Sequence, residues 1–82
     1  MDRARVDKEI ERLLRAALVE VQEQIGAEQG VEVLDHLQHN ELGLAHDTLV
    51  NAIKTQQLML GPEGTAALDA ARELLGFESG VS

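Results

Sequence analysis

Apolar residues recur from Val6 at helical spacing: Val6, Ile10, Leu13, Leu14, Ala17, Leu18, Val21 and Ile25 stand 4, 3, 1, 3, 1, 3 and 4 apart. At 100° per residue they occupy a stripe about 140° wide, the width of a helix packed on a globular core rather than of a coiled-coil seam. Asp2 is placed to cap its start, and Gly26 or Gly30 to end it in the left-handed conformation. Val19 falls opposite the stripe and is expected to be exposed. A second helix, of two turns, is predicted over 31–39, where Val33, Leu34 and Leu37 share a face and Asn40 follows as a left-handed terminator. Glu41 then opens a third, its charge matched to the positive end of the helix dipole, with Leu42, Ala45, Leu49, Ala52 and Ile53 recurring at 3, 4, 3 and 1. The small residues Gly43 and Ala45 predict a close backbone approach at the turn between the second and third helices.

Pro62 suits the first position of a fourth helix, because proline lacks only an N–H that would be unpaired there. Ala67, Leu68, Ala71, Leu74 and Leu75 form its inner face, Gly76 is predicted just past its end, and Phe77 is predicted to fold back on it as a Schellman contact. No stretch alternates apolar and polar residues over strand length between turn signals, so no sheet is expected. The fold predicted is therefore an all-α bundle of about four helices, approximately 3–25, 31–39, 41–57 and 62–75. It forms a single helical domain over 1–82 with a loose tail from about residue 78.

Composition narrows what such a bundle does. Leucine, valine, isoleucine, methionine and phenylalanine total 26 of 82 residues, enough for one modest core. A chain of this length buries only about 60% of its unfolded surface, which makes it a candidate for stabilisation by a partner. There is no run of 18 apolar residues and no charged start leading into an apolar segment, so neither a membrane span nor a secretory signal is expected, and a cytoplasmic location is. The absence of cysteine excludes disulfides, thiolate metal sites and a cysteine nucleophile. Phe77 is the sole aromatic residue, which removes the stacking platforms of single-strand nucleic-acid binders.

The charge is unevenly spread. Residues 1–15 hold five bases against four acids, whereas residues 16–82 hold eleven acids and only Lys54 and Arg72. Between Glu20 and Asp47 there are seven acids and no lysine or arginine. Such a surface repels phosphate backbones and attracts basic proteins. Nucleic acid is not an expected partner, nor is a membrane. The same charge also serves plain solubility.

Little here points to catalysis. His36, His39 and His46 lie within eleven residues, flanked by Asp35 and Asp47, and a pair at i, i+3 is able to converge on one ion. The HExxH pattern and thiolates are absent, so solvent-facing or turn-packing histidines are the expectation and no metal or other cofactor is called for. Ser79 and Ser82 lack a glycine elbow, and Gly61-Pro62-Glu63-Gly64 lacks the lysine of a phosphate loop. Paired carboxylates need a desolvated cleft to do acid–base work, for which a chain this short leaves little room. An enzyme is not expected, and no catalytic residue is assigned.

The segment from Glu32 to Phe77 resembles the MafI-like small helical immunity proteins of bacterial polymorphic-toxin systems. The likeness is carried by His39-Asn40-Glu41-Leu42-Gly43-Leu44-Ala45, by Leu49, Ile53 and the connection 58–60, and by 71–77 with its Leu74-Leu75-Gly76-Phe77 ending. Leu44-Ala45-His46-Asp47 departs from the family's pattern. The resemblance implies an antitoxin that binds and neutralises a cognate toxin, often a nuclease, and the acidic middle segment agrees with a partner of basic surface. Glu28, Glu32, Asp35, Glu41 and Asp47 are the candidate partner-binding residues. The alternative is a helical scaffold or adaptor that forms a homodimer through an apolar face.

Overall fold

In the computed structural model, which describes residues 3–79, four helices follow one another: α1 (Arg3–Val21), α2 (Ala27–Gln38), α3 (Leu42–Gln56) and α4 (Pro62–Ser79). No strand occurs among the described residues, so the all-α bundle expected from the apolar periodicity is what the chain forms. α1 packs chiefly along α4, and α2 along α3, while α3 also touches α1 and α4. The core is built from the predicted stripes. Ile10, Leu14, Ala17, Leu18 and Val21 come from α1, Val33 and Leu37 from α2, Leu42, Ala45, Leu49 and Ala52 from α3, and Ala67 and Ala71 from α4. Leu68, Leu74 and Leu75 are partly buried against this cluster. Val19 is 60% exposed, as its place opposite the stripe requires.

Four boundaries and one contact differ from the sequence expectation. First, α1 ends at Val21 rather than 25: Gln24 and Ile25 both donate their N–H to the Val21 carbonyl in a turn. Ile25 still packs on the core from outside the helix, and that is why periodicity read straight through the break. Second, α2 begins at Ala27, not 31. Gly26 is its N-cap, with φ −59° and ψ 144°, and Gly30 lies inside the helix. No glycine among the described residues has positive φ, so neither Gly26 nor Gly30 is the left-handed terminator expected. Third, Glu41 precedes α3 as its N-cap instead of opening it; its carbonyl accepts the Ala45 N–H at 2.9 Å. Fourth, α4 continues through Gly76 to Ser79, so Gly76 is not a stop and residues 78 and 79 are helical rather than loose tail. The capping by Asp2, the Phe77 side-chain contact and the tail from 80 onward lie outside the described residues.

The predicted Schellman stop exists, but at other helix ends. Asn40 has φ 57°, its N–H reaches the Leu37 carbonyl, and the Glu41 N–H reaches the His36 carbonyl at 2.8 Å, so Asn40 closes α2 as the sequence predicted. Gln57 (φ 53°) ends α3 in the same way, with Leu58 N–H on the Ile53 carbonyl.

The close approach expected at Gly43 is absent: a Cβ built there meets nothing within 4 Å. Crowding is therefore no obstacle to a larger residue. Gly43→Ala is expected to stabilise the protein by up to about 1 kcal/mol through the lower backbone entropy of the unfolded chain. A thermal melt checks the sign.

The α1–α2 and α3–α4 connections are joined by polar contacts. Gln24 holds the Met59 backbone from both sides, donating Nε2–H to its carbonyl at 3.2 Å and accepting its N–H on Oε1 at 3.0 Å. Gly26 N–H reaches Gln56 Oε1 at 2.9 Å, and Gly61 N–H reaches Glu20 Oε1 at 2.8 Å. These bonds link the end of α1 and the start of α2 to the α3–α4 connection.

Candidate interaction surface

The core side of α2 is fixed by Val33 and Leu37, so at 100° per residue the side nearly opposite carries Glu28, Glu32 and Asp35 within about 60° of one another. All three acids are exposed. They share the lining of a shallow open depression with Ala27, Gln29 and Val31. Three of the five predicted partner-binding residues thus form one stripe.

The other two are used differently. Glu41 stands at the N-cap of α3 and accepts a hydrogen bond from His36 Nδ1 at 2.9 Å, which joins it to α2 across the turn. Asp47 belongs to α3, is highly exposed, and lies 3.3 Å from His46 Nδ1.

The three histidines sit singly, each beside its own partner. His36 is with Glu41, His46 with Asp47, and His39 bonds the Asp35 carbonyl through Nδ1 at 2.8 Å. Protonation of His39 is favoured, so its pKa lies above the ordinary histidine value. The cause is first this backbone hydrogen bond, then the Asp35 carboxylate, with Glu41 adding a smaller attraction. A proton on His39 also suits its position at the negative end of the α2 dipole. Among the described residues no group of three histidine, aspartate or glutamate side chains is placed to hold a metal ion.

Beside the acidic stripe lies a feature that the sequence reading did not single out. Because α1 and α2 make little direct contact, a groove of about 420 Å³ opens between them. Its α1 wall is Arg15, Leu18, Val19 and Gln22, its α2 wall is Ala27, Gly30, Val31 and Leu34, and Ile25 and Gly26 close its end. Val19 (60%), Val31 (66%) and Leu34 (38%) are three of the large apolar side chains the fold leaves exposed. The signal was present in part, since Val19 is off-stripe by periodicity. The groove itself was hidden because it depends on α2 starting at Ala27.

The chain matches no protein-family model, and neither the curated proteins nor the solved structures contain a significant match to it. No helix among the described residues is long and apolar enough to cross a membrane.

Proposed function

We propose that this protein is a binding module of the immunity type, which neutralises a basic toxin domain by docking an acidic face on it. The observation that carries this reading is the alignment of Glu28, Glu32 and Asp35 on one exposed side of α2, opposite the core, in a segment without lysine or arginine. Glu41, tied to the same helix through His36, extends the acidic field, and Asp47 adds to it from α3. Such a field speeds encounter with a positively charged surface, most strongly at low salt. The function needs no catalytic group, and among the described residues no charged side chain is buried. The sequence resemblance to the MafI-like immunity proteins supports the same reading.

The test is co-expression with any toxic domain whose gene is found to adjoin that of this protein. Cells carrying both are expected to survive, and the two proteins to associate more slowly as salt rises. Reversing Glu32, Asp35 and Asp47 to lysine is expected to lower the association rate by about ten-fold or more at low salt and to weaken protection. Reversing Asp69 and Glu73 on α4, where Arg72 already dilutes the charge, is expected to do less. Circular dichroism establishes that each variant is folded. Equal protection by the first set and the native protein would leave the acidic face as a solvated surface only. A second reading, an adaptor that associates through an apolar face, draws on the groove between α1 and α2.

A further inference from the structure

The groove is bordered by charge of both signs. Lys8, Arg12 and Arg15 stand at i, i+4 and i+7 on α1, nearly opposite its core residues. Glu28, Glu32 and Asp35 stand at the same spacing on α2. Each stripe is about 10 Å long at 1.5 Å per residue. Val31 and Leu34 lie between the two stripes, and Val19, one turn beyond Arg15, continues the line of the α1 stripe. Of these charges only Arg15 lines the groove itself, and the acids stand on the outer side of α2 beyond Val31. A surface with a basic ridge on α1, an apolar groove and an acidic ridge on α2 is complementary to itself. A purely basic partner would meet like charge along α1.

We propose that the groove is closed by a second copy of this chain, in a two-fold dimer that lays the α1 stripe of each protomer on the α2 stripe of its partner. In a two-fold interface the same patch serves both subunits, so each unlike contact forms twice. A dyad running along the groove brings basic ridges onto acidic ones, whereas a dyad across it would set like on like. Charge therefore selects the first. Arg12 and Arg15 are already held by Glu9 and Glu11 at 2.6 and 2.9 Å. Both pairs are largely exposed, and such pairs are worth little, so exchange for acids of a partner meets small resistance. The net charge of −8 opposes association at a distance, and physiological salt screens that repulsion beyond about 8 Å while close pairs persist. This inference does not rest on the antitoxin reading. Both use the α2 stripe, so a second copy and a basic partner would compete for it.

Sedimentation equilibrium of the whole chain in about 0.15 M salt tests the proposal without any other ligand. A reversible, concentration-dependent shift to twice the chain mass is expected. Val19→Ser with Val31→Ser, both at exposed positions, is expected to raise the dimer Kd by about ten-fold or more. Lys8, Arg12 and Arg15 reversed to glutamate are expected to leave a monomer, as are Glu28, Glu32 and Asp35 reversed to lysine. Mixing these two variants is expected to restore a heterodimer, because each supplies the sign the other lost. Circular dichroism monitors folding, and the mixture is informative even where one variant is less stable. Monomer mass for the native chain up to millimolar concentration would overturn the proposal and leave the groove to a different partner. So would a dimer indifferent to the serine substitutions, or a mixture that stays monomeric.

Discussion

Leu14→Ala is expected to destabilise the protein by about 2–5 kcal/mol, while Val19→Ala, five residues along the same helix, changes stability by a few tenths of a kcal/mol. Leu14 is fully buried in the cluster that α1 shares with the other helices, and Val19 is 60% exposed. Removing the Leu14 branch loses its transfer free energy and leaves a cavity that neighbours such as Ile10, Ala17 and Leu18 are tethered too firmly to fill. A domain of 82 residues has a total stability of about 4–12 kcal/mol, so this one substitution takes a large fraction of it. Urea melts of both variants at concentrations dilute enough to keep the chain monomeric make the comparison. Equal shifts in the two midpoints would contradict the facing of α1.

Which face of each helix is buried was legible because the rule is local. Every helix must put an apolar face on the core, and 3.6-residue periodicity records that choice in Leu14, Val33, Leu49 and Ala71. Asn40 was legible for the same reason, as a residue that tolerates positive φ at the end of an apolar run. The break after Val21 was not. It is imposed by bonds such as Gln24–Met59 and Gly26–Gln56, whose partners are 30 or more residues apart. Ile25 continues the apolar rhythm across it. Glycine misled in both directions: Gly30 and Gly76 sit inside helices where they were expected to end them, and Gly43 faces open space where crowding was expected. Nothing in glycine's neighbours separates a helix stop from a helix interior, because backbone bonding to the next turn decides it.

The candidate surface divides along the same line. Glu32 and Asp35 share a helix face by spacing alone, whereas Glu28 joins their stripe only because α2 begins at Ala27 rather than at 31. The pairing of Glu41 with His36 depends on a turn geometry that spacing does not encode. The groove depends on two helices diverging, and no single stretch of sequence carries that.

Gly64 is the glycine at which space does decide. It is buried in the first turn of α4, and a Cβ built there would meet Leu60 Cδ2 and Glu20 Oε1 inside contact distance and Glu20 Cδ at 2.8 Å. The Glu20 carboxylate is where it is because it accepts the Gly61 N–H at 2.8 Å, placing negative charge at the positive end of the α4 dipole. Gly64→Ala gains up to about 1 kcal/mol of helix propensity. To make room it must also turn Leu60 and swing Glu20 off its donor, and hydrogen bonds to charged groups are worth about 1.5–3 kcal/mol. The loss exceeds the gain, so a net destabilisation of about 1–2 kcal/mol is expected. In a Glu20→Ala background the carboxylate is gone, the bond is already lost, and only Leu60 has to move. There Gly64→Ala is expected to be neutral or stabilising. The double-mutant cycle thus reads a coupling between residues 44 positions apart in sequence. An effect of Gly64→Ala that is the same in both backgrounds would mean that Glu20 does not hold the start of α4.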